Sequence, residues 1–122
     1  MSQYNKAKGS RFEIDIEDYL NSHGVRARRL PRAGAKDIGD VAFEAKACDI
    51  VIEAKNVKDA ASQMAQFLRE AEVEASHYED KFDTPTLGVV ITKTRQKGAG
   101  QARVVMELDT FISLLRWNGV IP

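Results

Sequence analysis

Two acids and a lysine carry the chemistry that this chain could do. Asp40 heads an apolar run, Val41-Ala-Phe43, and Glu53 and Lys55 close a second one, Ile50-Val-Ile52. In a strand successive side chains alternate faces, so Glu53 and Lys55 project together while Ile50, Ile52 and Ala54 point the other way. The link Ala45-Lys46-Ala47-Cys48 has hairpin length. A symmetric hairpin pairs Val41 with Ile52 and Phe43 with Ile50, and the same register sets Asp40 opposite Glu53. Directly opposed residues have Cβ atoms about 4.5–5.5 Å apart, where like charges destabilise the pair. Two carboxylates kept there imply a cation between them. Hard oxygen donors with no His or paired Cys beside them select Mg²⁺ or Mn²⁺ over zinc.

Asp37 and Asp49 are the alternatives to Asp40. Asp49 shares the strand parity of Glu53 but lies toward the turn, opposite Glu44, and Asp37 falls in the preceding loop; neither fits the register as well. Lys55 has two possible roles beside the acids: base, or stabiliser of negative charge. A free lysine titrates near ~10.4, so acting as base demands a large depression, whereas charge stabilisation demands none and is favoured. The bland alternative is an ion pair with Glu53 or Asp40.

The elements that must position these residues read in the order αβββαββα. A first helix spans about 10–22, with Phe12, Ile16, Tyr19 and Leu20 at helical spacing. Ser10-Arg-Phe-Glu13 has the form of a capping box, which would give Glu13 a purely structural role. A strand over about 25–30 ends at Pro31, a glycine-bearing loop covers 31–39, and the hairpin strands are 40–44 and 49–55. The longest helix spans about 59–78, its apolar stripe formed by Ala60, Met64, Phe67, Leu68, Ala71, Ala75 and Tyr78, with the acids placed on the other side. Leu87–Thr92 reads as a strand buried on both faces, residues 102–108 as a fifth strand, and Asp109 as the cap of a last helix. The expected fold is one α/β domain, a small mixed sheet flanked by helices.

The 122 residues contain 18 Lys and Arg against 18 Asp and Glu, so net charge names no partner. Distribution says more. Residues 26–36 and 93–103 are basic runs without an acid, whereas residues 70–83 carry six acids against Lys81 alone. That segregation suits a polyanion on one side of the molecule, with the acidic block read as solvated surface. Few aromatics lie among the basic residues, which argues against stacking of single-stranded bases. The one cysteine, Cys48, excludes an internal disulfide and fits a reducing compartment. With no signal-peptide pattern and no apolar run of bilayer length, the expectation is a cytoplasmic protein.

Gly39-Asp40-Val-Ala and Glu53-Ala54-Lys55 on hairpin strands resemble the PD-(D/E)XK nuclease superfamily, with glycine where that pattern has proline. Lys8-Gly9-Ser-Arg11-Phe-Glu13 ahead of a helix, then Gly24-Val25-Arg-Ala-Arg28-Arg29, resembles the opening of archaeal-type and phage Holliday junction resolvases. The resemblance spans about residues 8–68. It implies a restriction-endonuclease-like core and a metal-dependent endodeoxyribonuclease serving DNA recombination and repair. Its catalytic residues would be Glu13, Asp40, Glu53 and Lys55, with Mg²⁺ or Mn²⁺ on Asp40, Glu53 and the Ala54 carbonyl. Lys8, Arg11, Arg28, Arg29 and Arg32, with Arg95 and Lys97 of the second basic run, are the candidate phosphate contacts. Gln63-x-x-x-Phe67 resembles the Gln-x-x-x-Tyr element of exonuclease branches, with Phe for Tyr, making Gln63 a further DNA-contact candidate. Paired nicks in a four-way junction imply a two-fold homodimer, for which Leu114, Leu115, Trp117, Val120 and Ile121 supply spare apolar surface. Two rivals remain open: another nuclease of the superfamily, and a non-catalytic DNA-binding module of the same fold.

Overall fold

The computed structural model describes residues 3–31 and 37–122, with side chains from residue 8; Arg32 lies outside the described residues. The order of elements is α1 (Gln3–Ser22), β1 (Arg28–Arg29), β2 (Val41–Glu44), β3 (Asp49–Lys55), α2 (Met64–Phe82), β4 (Thr86–Thr92), β5 (Arg103–Val105) and α3 (Leu108–Trp117), with short 3₁₀ turns at Ala60–Gln63 and Ala99–Gln101. Five strands form one sheet in sequence order. β1–β2–β3 is an antiparallel meander; β3 and β4 are parallel, and β5 is antiparallel to β4. Parallel pairing needs a crossover, which α2 supplies. This is the mixed, helix-flanked sheet expected from the sequence.

Strand alternation sorts the core into two layers. Val41, Ile50, Ile52, Val89 and Ile91 pack against Phe12 and Ile16 of α1, and Leu114 of α3 joins that side. On the opposite face Ala42 and Val51 meet Tyr78, and Val90 meets Phe67 and Ala71 of α2. The hairpin has the symmetric register, with Val41 opposite Ile52 and Phe43 opposite Ile50.

Several boundaries differ from the sequence reading. α1 begins at Gln3, because Lys6, Ala7 and Lys8 continue a helical run. Ser10 is therefore inside the helix, and the capping-box explanation of Glu13 falls. Only Arg28 and Arg29 form β1: the Asn21 side chain takes both the N–H (2.7 Å) and the carbonyl (3.1 Å) of Ala27, replacing ladder bonds there. Asp59 turns left-handed (φ 64°), which delays α2 to Met64. At α3 the N-cap position is Glu107, and Asp109 sits in the first turn, where it still complements the helix dipole. No described helix is long and apolar enough to cross a membrane.

Candidate active site

Asp49, Val51, Glu53 and Lys55 share the face of β3 that looks at α2, and Asp40 joins them from the start of β2. Gly39 makes this entry possible. Its φ is +107°, and a Cβ there would lie 2.2 Å from Val51 Cγ1, so no other residue fits ahead of Asp40. The Asp40 N–H donates to Ile52 O (3.0 Å), and Asp40 Oδ2 accepts from Ala54 N–H (2.9 Å). The acid thus clamps β3 with main chain and side chain. Asp40 and Glu53 are 3% and 7% exposed.

Lys55 Nζ lies 3.4 Å from Glu53 Oε1 and 3.1 Å from Glu70 Oε2, above the Phe67 ring at 4.6 Å. Burial pulls its pKa down, but Glu53 and Glu70 outweigh that and hold the ammonium above its ordinary range. It is therefore protonated at neutral pH, which favours charge stabilisation over the base role. Glu70 is held in turn by Gln66 Nε2 at 3.1 Å, and its carboxyl sits below the usual range because the Lys55 hydrogen bond and charge outweigh burial.

The acidic block read as solvated surface is not all surface. Glu74, 5% exposed, points inward from α2 beside Glu53. Burial first, then the Glu53 carboxylate, pushes its pKa far up, so the metal-free protein holds it neutral. One oxygen each of Asp37, Glu53 and Glu74 falls within a cluster no wider than 4.8 Å, a group able to hold a cation. Glu53 Oε2 and Glu74 Oε2 are buried without a hydrogen-bond partner among the described residues. Sequence reasoning missed Glu74, yet a signal existed: it lies seven residues after Phe67 and four before Tyr78, inside the apolar stripe. Gly88 allows this approach, since a Cβ there would meet Ala71 O at 2.3 Å. Asp37 reaches the cluster because its loop is pinned: His77 Nδ1–H donates to Asp37 O (2.9 Å) and Gly39 N–H to Asp37 Oδ1 (2.9 Å).

The other candidates lie on other elements. Glu13 is buried at the β1 side, with Arg29 Nη2 at 3.3 Å from its Oε1, and Arg29 N–H donates to Glu17 Oε2 one turn later (2.8 Å). Arg28 points to the opposite face, where its Nη2 donates to Tyr78 Oη (2.5 Å) and Tyr78 donates to Asp49 Oδ2 (2.7 Å). Burial and Asp49 push the Tyr78 phenol up to about 12, so it keeps the proton it donates. That network lies at the turn end of the hairpin and takes Asp49 away from the site. Lys8 is half-buried on α1, and Arg11 is exposed with Asp15 at 4.0 Å. Gln63 ends a 3₁₀ turn, exposed, its Nε2 3.5 Å from Asp59 O. Arg95 and Lys97 are exposed on the loop that leaves β4 beside Lys55, where Lys93 N–H donates to Lys55 O (3.1 Å). The loop is tied rather than loose, by Thr94 Oγ1 to Gln101 O (2.6 Å) and Lys93 Nζ to Lys97 O (3.1 Å).

A five-stranded mixed sheet with helices on both faces, carrying Asp40, Glu53 and Lys55 together at one end, is the arrangement of a PD-(D/E)XK nuclease. The profile that matches is that of the archaeal Holliday junction resolvases (Hjc), over residues 4–103, which takes in α1 through the start of β5; the chain belongs to this family. Its fold is similar to that of Archaeoglobus fulgidus Hjc, a Holliday junction resolvase from an archaeal hyperthermophile, with a TM-score of 0.52 and 20% identity over 80% of this chain and 75% of that one. No curated protein sequence matches the chain.

Proposed function

We propose that this chain is a divalent-metal-dependent endonuclease that resolves Holliday junctions, two copies making paired nicks. The observation that carries the reading is the convergence of Asp40, Glu53 and Lys55 at one end of the sheet in a chain of the resolvase family. Asp40, Glu53 and the Ala54 carbonyl would hold Mg²⁺ or Mn²⁺. The residues fit such an ion: the donors are carboxylates, and Glu53 Oε2 is buried with no hydrogen-bond partner among the described residues. When bound, the ion supplies polarisation of the phosphate and a more acidic water.

The chain's own residues do the remaining work. Lys55, held protonated between Glu53 and Glu70, places its ammonium to neutralise charge developing on the phosphate oxygens. Glu13 orients Arg29 toward the backbone, and Arg95 and Lys97 extend the basic surface from the Lys55 end of β4. These contacts read phosphates rather than bases, as a structure-selective enzyme needs. For the dimer, α3 has no fully buried residue, and Leu108 (71% exposed), Val104 (58%), Phe111, Trp117 and Val120 remain uncovered on α3 and the adjoining edge. Leu114 is spent on the chain's own core. A two-fold partner covers such a face and supplies the second nick. Cys48 is buried and unpaired, which suits a cytoplasmic protein.

Incubation with four-way junction, linear duplex, flap and single-stranded DNA, in Mg²⁺ and in EDTA, tests the reading. Symmetric nicks confined to the junction and to Mg²⁺ are expected. Cleavage of linear duplex at fixed sequences would make it a different nuclease of the superfamily, and no cleavage of any substrate would make it a binding module.

A further inference from the structure

The catalytic set accounts for Asp40, Glu53 and Lys55 but leaves Glu74 and Asp37 without a task. Glu74 is the costliest of these to keep. It is a carboxyl group delivered from α2 into a buried position, more than nine-tenths covered, in the cluster with Glu53, and its Oε2 has no hydrogen-bond partner among the described residues. A buried polar atom left unmatched costs on the order of 1–3 kcal/mol. Lys55 does not relieve it, because its ammonium lies at Glu53 Oε1 and Glu70, leaving Glu53 Oε2 open.

We propose that Asp37, Glu53 and Glu74 hold a divalent cation, so that Glu53 is shared between this position and the one it forms with Asp40. The inference rests on the reading of Glu53 as a metal ligand. Three oxygens within 4.8 Å of one another already approximate a coordination shell. Around an octahedral ion with ligands at about 2.0–2.1 Å, adjacent oxygens stand about 2.9 Å apart and opposite ones about 4.2 Å, so the three carboxylates draw inward to grip Mg²⁺. Asp37 contributes from a loop held by His77 rather than from a strand. Solvent has a path in: a groove along α2, whose lining includes Asp37, Gln66, Arg69, Glu70, Glu74 and His77, reaches two of the three acids. No cationic side chain among the described residues pairs with Asp37 or Glu74.

Mn²⁺ binding to the DNA-free protein, followed by the electron paramagnetic resonance signal of the free ion, separates this site from the Asp40 position without any cleavage assay. Glu74→Gln and Asp37→Asn should each weaken an equivalent of Mn²⁺ at least tenfold, whereas Asp40→Asn, which leaves the three ligands in place, retains it. Asp37 is exposed and Asn keeps the Oδ1 that accepts from Gly39, so its effect is independent of whether Glu74→Gln folds. If both variants titrate like wild type while Asp40→Asn loses binding, the Glu74 site is refuted and the catalytic reading stands. If wild type and all three variants show no binding at millimolar Mn²⁺, the metal-dependent reading fails with it.

Discussion

Replacing Gly88 with alanine should disable the site from a distance, without touching any group that bears chemistry. Gly88 lies on β4 beneath α2, and an added Cβ would stand 2.3 Å from Ala71 O, 2.8 Å from Ala71 C and 3.2 Å from Ala75 Cβ. Two of these obstacles are helix backbone, which has no rotamer to change. Restoring ordinary contact at 3.4 Å demands that helix and strand separate by roughly 1 Å. Overpacking of this kind costs about 1–3 kcal/mol, or a fall in Tm of about 4 °C per kcal/mol for a chain of this size. The same displacement carries Glu70 and Glu74 away from β3, lengthening the 3.1 Å Lys55–Glu70 contact beyond hydrogen-bond range. A misplacement of about 1 Å lowers catalytic rate on the order of 10²-fold. Thermal denaturation and single-turnover junction cleavage, run side by side, check both effects. Gly98→Ala is the control, since nothing lies within 4 Å of a Cβ there and its φ of −75° suits any residue. If Gly88→Ala stays within 0.5 kcal/mol and twofold of wild type, α2 does not set the position of Lys55 and the reasoning is wrong.

Asp40→Asn and Glu53→Gln should each abolish Mg²⁺-supported cleavage while junction binding is kept or tightened, as measured by gel shift; near wild-type cleavage by either refutes the site. Arg29→Ala should flatten the dependence of log K on log salt by about 0.9 per lost phosphate contact. Arg28→Ala should leave that slope unchanged and destabilise the fold by about 1–3 kcal/mol, because it strips a partner from Tyr78. Equal slopes for wild type and Arg29→Ala would assign Arg29 to Glu13 alone. In EDTA, the raised pKa of Glu74 means the folded state keeps a proton that the unfolded chain releases above about 4.5. Stability should therefore fall as pH rises from 5 to 8, by up to about 1.4 kcal/mol per unit, a slope absent in Glu74→Gln. Urea titrations at pH 5, 6.5 and 8 that give parallel curves for the two proteins would sink this assignment.

What could be read from residue order was whatever period and register determine. The alternation of β3 and the length of its hairpin link are local properties, so the hairpin register, with Val41 opposite Ile52 and Phe43 opposite Ile50, and the shared face of Glu53 and Lys55 were legible. The same period-2 logic assigns neighbours Arg28 and Arg29 to opposite faces, which the sequence reading grouped together as phosphate contacts. The place of Glu74 inside the apolar stripe of α2 was legible, but that Glu70 and Glu74 reach the site was not, because how close α2 comes to the sheet depends on Gly88 meeting Ala71, a contact between residues far apart in the chain. Asp37 ranks only as an alternative to Asp40 for a similar reason. A loop acid has no register, and its place depends on His77, forty residues away.

The pairing of β3 with β4 also dictates when in its life the chain can become active. Lys55 lies in register with Thr92, and Glu70 and Glu74 belong to the crossover helix between them. A nascent chain emerging at about 5–20 residues per second exposes Asp40, Glu53 and Lys55 well before β4 exists to anchor α2 over them. Non-local parallel pairing is also slow to form. During synthesis the hairpin is thus a bare pair of acids and a lysine, with no assembled pocket. The pocket is complete only once β4 has paired with β3 and anchored α2 over the hairpin.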